Sequence, residues 1–347
     1  MKAIKFIIAA ILFTLIQQQN IQAQGCAPVK SDDGVNVFGF LQPQFETKFE
    51  KDGPQNSFTF NRARLGVTGN IPYDIQYYAV VETGPFFNGG NAFLLDAFIS
   101  YQRFSFAKIA VGKFKSPFTL EMSTPCQGLN TIYRSDVVRN LVSPDRDYGL
   151  MISGDIKDRL LSYAIAVTNG TGLGQFDNNN GKTFHGRLQL MPKEFVKIGG
   201  GAQYGTHPSA VPDAEKEDSR FRWAADIQLN HKGFDIIGEY VGGTDKGSSV
   251  VGGGCGGAPV IIAGDTKRSG YYVTGMYKTE WNFQPLVRYE NYNTDRTTKN
   301  RNEHTLVLGF NYWLNDWTRI QANYLYKAEE RIEVMNDQFV IQFQVTF

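Results

Sequence analysis

Arginine recurs in this chain at the spacing of an extended strand. Arg62 and Arg64 stand two residues apart, interleaved with Ala63, Leu65 and Val67. Arg220 and Arg222 repeat the arrangement against Phe221, Trp223, Ala225, Ile227 and Leu229. Successive side chains of a strand point to opposite faces, so residues i and i+2 share one. Each pair therefore puts two guanidinium groups on a polar face whose reverse is apolar. Arg187 holds a similar position in segment 184–191. A planar guanidinium fork donates paired hydrogen bonds to phosphate or carboxylate. The chemistry on offer is reversible anion contact. The same residues have a plainer reading, in which they balance Glu82, Asp96, Asp226 and Glu239 on the same faces.

Covalent chemistry finds little support. His185, His207, His231 and His304 are scattered without metal-ligand spacing. The run Gly252-Gly253-Gly254-Cys255-Gly256-Gly257 is not followed by Lys-Ser/Thr and a helix, so it is no phosphate loop. Asp177-Asn178-Asn179-Asn180-Gly181 lacks the closing Glu of a calcium loop and reads as a turn. No Gly-x-Ser-x-Gly occurs. We expect no enzyme, no cofactor and no metal. Lys+Arg number 35 against 34 Asp+Glu, a formal net charge of +1. Nothing in that balance favours nucleic acid, and any electrostatic selectivity must be local.

The elements that position these arginines are strands. The chain is rich in aromatics, with 26 Phe and 17 Tyr, and in Gly, with 36. One apolar run, 6–16, follows Lys2 and Lys5 and is too short to span a bilayer. It reads as the core of a signal peptide, 1–23, cut after Ala23, with 24–34 a periplasmic lead-in. Without Lys2 and Lys5 the balance becomes 33 basic to 34 acidic residues, near −1. Beyond it, no segment has the 18 or more apolar residues of a membrane helix. Segments of roughly ten residues alternate instead, at 35–49, 58–68, 75–83, 93–101, 109–115, 148–156, 161–168, 184–191, 196–204, 221–230, 234–241, 271–279, 283–292, 305–314, 318–326 and 338–347.

The last of these sets Phe339, Ile341, Phe343, Val345 and Phe347 against the mostly polar Gln338, Val340, Gln342, Gln344 and Thr346. A strand of that length, tilted, crosses a bilayer core of about 30 Å. It stops on an aromatic and needs a fixed neighbour at its free edge, which the segment beginning at Val35 can supply. Connections are short on one side and long on the other, and Tyr101, Tyr204, Trp281, Trp313 and Trp317 mark strand ends like interfacial girdles. The even count of sixteen suits a closed barrel. A soluble sandwich would also alternate, but would bury its apolar face in protein. We therefore expect an all-β fold: a 16-stranded antiparallel transmembrane β-barrel over 35–347. Its apolar face meets outer-membrane lipid and its polar face lines a lumen.

The longest interruption, 117–147, contains Pro117, Pro125 and Pro144 and no clear period. A loop this long is usually functional, and one folded inward narrows a lumen. Within it Arg134, Arg139 and Arg146 alternate with Asp136, Asp145 and Asp147, a mixture suited to pinning the loop to the wall by ion pairs, with Arg134 a candidate solute contact. The three cysteines beyond the signal are Cys26, Cys126 and Cys255, an odd number. Cys126 and Cys255 fall in loops where a disulfide between them is open, and Gly25-Cys26 weakly resembles a lipidation box.

Several motifs resemble the phosphate-selective porin O and P family. They are Phe60-Asn61-Arg62-Ala63-Arg64-Leu65-Gly66-Val67-Thr68-Gly69, Leu95-Asp96-Ala97-Phe98-Ile99-Ser100-Tyr101, Val111-Gly112-Lys113-Phe114-Lys115-Ser116-Pro117-Phe118-Thr119-Leu120-Glu121, Arg146-Asp147-Tyr148-Gly149, and the block from Asn169-Gly170 to Gly186-Arg187. Their order is kept over nearly the whole chain after the signal. Where the family often has Gln, this chain has Lys113. The resemblance implies an outer-membrane channel of a Gram-negative-type bacterium, typically trimeric, with the third loop folded into the pore. It implies small anions, phosphate among them, as solutes, and Arg and Lys along their path. It also draws Lys115 into the lumen, although the parity of Lys115 matches the apolar Ile109 and Val111; a bulge or an inner covering by the loop would reconcile the two. A non-conducting barrel subunit of a larger envelope complex is the alternative function.

Overall fold

The computed structural model describes residues 34–347 except 72–73, 143–144, 158, 173–176, 178–179, 208, 210–216 and 252–259. The expected signal peptide and its cleavage site, Cys26, Cys255 and all of 24–34 but Gly34 lie outside the described residues.

Alternation produces strands over most of this length. They are β1 (Asn36–Glu50), β2 (Gly53–Ile71), β3 (Ile75–Glu82), β4 (Phe93–Phe104), β5 (Ala107–Lys115) and β6 (Arg146–Ile156). Next come β7 (Leu161–Thr168), β8 (Thr183–Lys193), β9 (Val196–His207), β10 (Asp218–His231), β11 (Phe234–Lys246), β12 (Ser248–Val251) and β13 (Val260–Ala263). The last are β14 (Thr266–Tyr277), β15 (Phe283–Asn293), β16 (Asn302–Asn315), β17 (Thr318–Glu329) and β18 (Gln338–Thr346). All except β12 and β13 form one closed barrel of sixteen antiparallel strands. These sixteen are the segments expected from the periodicity. β18 pairs with β1, Ile341 opposite Phe45 and Thr346 opposite Phe40. That pair closes the ring and satisfies the edge of both strands.

The alternation sorts side chains as lipid and an enclosed interior require. On β18, Ile341 is 39% and Phe343 41% exposed, while Gln342 and Gln344 between and beyond them are buried. No helix among the described residues is long and apolar enough to cross a membrane; this chain crosses with strands. Two details differ from expectation. β11 runs on to Lys246, and the Gly-rich stretch after it contains the β12–β13 hairpin rather than only loop. The connection from β5 to β6 is not irregular throughout: it holds helical turns at Leu120–Ser123 and Asp136–Leu141 and a 3-10 turn at Cys126–Gly128.

The inner face also differs from a uniformly polar lining. Ala224, Val241, Tyr272 and Tyr292, from β10, β11, β14 and β15, pack against Phe118, Met122, Val137, Val138, Leu141 and Val142 of the third connection. The short helices of that connection have apolar sides that must leave water. An apolar sector of the wall receives them.

Candidate functional site

The third connection is held mainly through its helix starts. The first N–H groups of a helix have no intrahelical partner and favour an anion. Thr119 and Ser135 cap the two helices, accepting from Met122 N (3.2 Å) and Val138 N (3.4 Å). The wall supplies the remaining acceptors. Leu120 N and Glu121 N donate to the Glu239 carboxylate of β11 (2.5 and 3.1 Å), and Asp136 N donates to Glu290 of β15 (2.7 Å). Glu121 joins the helices, accepting from Ser135 N and Oγ (both 2.8 Å) and pairing with Arg288 of β15 (2.9 Å). Across the ring, Tyr133 OH donates to Glu46 (2.5 Å) and accepts from Gln44 Nε2 (2.8 Å), both on β1. Ile132 N donates to Asn323 of β17 (2.8 Å). We expect Glu239→Ala to loosen the first helix by about 1–3 kcal/mol, the usual cost of orphaning buried donors. Hydrogen exchange at Leu120 and Glu121 should accelerate by about 5- to 150-fold while the β11 amides stay protected.

Four of the seven predicted site residues gather around Cys126, two of them bonded to its sulfur. Arg64 Nη1 donates to Cys126 Sγ at 3.1 Å and Arg134 Nη1 at 3.4 Å. Lys115 Nζ donates to Thr124 O (3.3 Å), beside the same thiol, and Arg134 Nη2 donates to that carbonyl at 3.0 Å. Arg62 completes the group, with Nη1 donating to Gln42 Oε1 (3.1 Å). Glu82 is the paired carboxylate here, 2.7 Å from Arg64 Nε. Burial pushes the Cys126 thiol up, but Arg62, Arg64, Arg134 and Lys115 outweigh it and hold the thiol well below its ordinary range. Among the described residues Cys126 is a free, buried thiol. The β5–β6 register runs without a shift from Lys108 to Lys115. Contact with the loop at the last residue of β5, rather than a bulge in that pairing, therefore turns Lys115 inward.

The other three lie elsewhere on the inner wall. Arg187 makes a bidentate pair with Asp226 (2.8 and 3.0 Å), the charge-balancing arrangement. Arg220 and Arg222 converge with Arg268 on Asp245. Arg222 Nη2 lies 2.9 and 2.7 Å from the two carboxylate oxygens, Arg220 Nε lies 3.4 Å from one, and Arg268 Nη2 bonds the other. Arg222 Nη1 also donates to Leu141 O, at the end of the second loop helix. Of the alternating charges, Arg146 at the start of β6 pairs with Asp96 of β4 (2.9 Å) and with Asp145 at the end of the loop (2.8 Å), and Arg139 pairs locally with Asp136 (2.5 Å). Lys113 is buried, donating to Leu94 O (2.8 Å) and lying 5.4 Å from the Tyr148 ring centre.

Sequence reasoning missed Asp245, Arg268, Arg288, Glu290 and Arg319. Arg288 and Glu290 share the parity of Gln284 on an expected strand and were findable. Asp245 shares the parity of Glu239, and Arg268 that of Tyr272, but both lay beyond the strand ends drawn from periodicity.

A family model for phosphate-selective porin O and P matches residues 42–347. The chain belongs to that family. No curated protein matches it at a significant level. Among solved structures, an anion-selective porin from Comamonas acidovorans superposes with TM-score 0.68 at 13% identity, covering 91% of this chain and 100% of the other. OmpF of Salmonella typhi gives TM-score 0.67 at 12% identity, covering 91% and 98%. OmpT of Vibrio cholerae, in a trimer form, gives TM-score 0.65 at 13% identity, covering 90% and 99%. At such identities these likenesses concern the fold. Family and sixteen-stranded barrel together point to the bacterial outer membrane and to a channel.

Beginning next to Arg62 on β2, this porin lines part of its inner wall with amides. Asn61 donates to Gln342 (2.8 Å), Gln342 to Gln321 (3.0 Å), Gln321 to Asn311 (2.7 Å) and Asn311 to Gln284 (3.0 Å). The chain of bonds runs from β2 past β18, β17 and β16 to β15. Loop carbonyls rest on it: Asn130 O accepts from Asn311 (3.0 Å) and Gln321 (3.2 Å), and Gln127 O accepts from Arg319 (2.9 Å). Arg319 has no carboxylate partner among the described residues.

Proposed function

We propose that this porin is a passive outer-membrane channel for small anions, phosphate among them. Its third loop, 117–147, lies in the lumen and sets the constriction. One observation carries the reading: basic side chains from the wall and the loop cluster at two places beside that loop. Arg62, Arg64, Lys115 and Arg134 gather at Cys126 with Glu82 their carboxylate, and three arginines share Asp245. In a narrow, low-dielectric passage such a field raises the local anion concentration and lowers that of cations. Flux follows the solute gradient, and Arg and Lys replace part of the hydration shell. The family description and the anion-selective structural relative support the same reading. So does the trimer form of OmpT for a homotrimer of this chain.

Reconstituted in a planar bilayer under a tenfold KCl gradient, the porin should give a zero-current potential of the sign set by chloride, and substituting phosphate for chloride should preserve current. A potential of the opposite sign removes the anion reading and leaves the channel. The second reading, a non-conducting barrel in a larger complex, draws on the dense anchoring of the loop to strands around the ring. Absence of any conductance step, with partners co-purifying, is its signature.

A further inference from the structure

The inner wall of β1–β4 carries aromatic rings that the loop's apolar cluster does not cover, since that cluster packs on β10, β11, β14 and β15. Phe38 shares the inward parity of Phe40, whose partner Arg64 faces Glu82. Tyr78 faces Phe98 across β3 and β4. The Phe38 and Tyr78 ring centres lie 5.2 Å apart, and those of Tyr78 and Phe98 lie 5.0 Å apart in a stacked pair. β2 runs between Phe38 and Tyr78, and its residue there is Gly66. A Cβ at Gly66 would meet the Phe38 ring at 2.5 Å and Val80 at 2.9 Å. Only glycine lets Phe38 lie across β2 to reach Tyr78. All three rings are half-buried, Tyr78 lying between Phe38 and Phe98, so the row is only partly covered.

Charge stands next to this strip. The inward residues that follow Gly66 up β2 are Arg64 and then Arg62, each step about 7 Å. Arg62 is buried without a carboxylate partner among the described residues, and its Nε has no hydrogen bond. The Tyr78 hydroxyl makes no hydrogen bond among the described residues, which leaves a donor within the strip itself. A lumen serving only inorganic anions gains nothing from three contiguous rings below its arginines.

We propose that this wall is a transit subsite for planar aromatic carboxylates. The solute ring packs edge-to-face against the row of Phe38, Tyr78 and Phe98, and its carboxylate points toward Arg64 and Arg62. The inference rests on the channel reading and names a solute class for it. An aromatic pair gains over an aliphatic group of similar size through its quadrupole, enough for roughly a two- to tenfold difference in affinity. Benzoate and cyclohexanecarboxylate, alike in charge and near in size, isolate that difference.

The test is an NMR titration of the refolded full-length porin in detergent with each acid. Benzoate should bind two- to tenfold tighter than cyclohexanecarboxylate. The double variant Phe38→Leu, Tyr78→Leu should erase the difference, and Gly66→Ala, which keeps every ring but displaces Phe38, should shrink it. Equal affinities in the natural protein, or a difference that survives the double variant, overturn the proposal. If the double variant does not refold, the natural protein's comparison decides alone. Chloride conductance separates the two levels: a conducting porin without benzoate preference loses only the subsite. A non-conducting barrel loses the channel reading, and the titration still decides the strip.

Discussion

Replacing Asp245 by Ala should cost this porin about 3–5 kcal/mol, the loss seen when one partner of a buried ion cluster is removed. Asp245 is the carboxylate at which Arg220, Arg222 and Arg268 meet, and all four side chains are almost wholly buried. Three guanidinium groups converge on this one carboxylate. Taking away its anion leaves three guanidinium groups facing one another in a space that water reaches poorly, and repulsion adds to the lost bonds. The loop suffers too, because Arg222 also holds Leu141 O at the end of the second loop helix. Urea unfolding of the refolded protein in lipid vesicles measures the loss, and limited proteolysis within 117–147 reports the loop. Asp245→Glu keeps the charge and should recover most of the stability. Arg220→Leu removes one of three like charges, the one with the longest contact, 3.4 Å, and should cost under half as much. An Asp245→Ala protein as stable as the natural one would mean that solvent or counter-ions reach the cluster freely.

The barrel was legible because its signal is local. A period of two needs only neighbours in sequence, and sixteen such segments with short and long connections leave few ways to pair them. The inward arginines were legible for the same reason: parity assigned Arg62, Arg64, Arg187, Arg220 and Arg222 to the interior, where they are buried. Parity could not say what each would meet. Whether Arg187 finds Asp226 or Arg64 finds a thiol depends on residues brought together from 39 and 62 positions away. The loop was the least legible part. Its apolar residues Val137, Val138, Leu141 and Val142 recur at helical spacing, but over a single short helix, and prolines on both sides hide it. Its match to an apolar sector on β10–β15 is a property of the closed ring, which no single segment contains. The ends of β11 and β14 were drawn short because Gly242 and Gly243 read as loop. Asp245 and Arg268 stayed outside the candidate site as a result.

Ile341→Arg should destabilise the barrel by about 2–4 kcal/mol, and Val345→Arg by no more than about 1 kcal/mol. Both residues belong to the outward row of β18, with Phe339 and Phe343, while Val340, Gln342 and Gln344 are buried on the other side. Ile341 lies near the middle of the strand and Val345 near its end. An arginine at mid-strand must leave its guanidinium in hydrocarbon or drag water and headgroups toward it; near the strand end the same side chain snorkels to the interface. The ratio of the two costs is therefore a measure of depth, which a water-exposed or protein-covered face would not produce. In water both substitutions would be nearly free; in a dry protein interface both would be expensive. Reversible folding into vesicles, followed by the intrinsic fluorescence of the four tryptophans, gives both numbers under one condition. The pairing of β18 with β1 strengthens the test, because Ile341 faces Phe45 across that pair, and Phe45→Arg should repeat the Ile341 cost from the neighbouring strand. Agreement between the two strands would locate the hydrocarbon on both sides of the seam that closes the ring. That seam fixes the inward row on every strand, the row that holds the buried arginines.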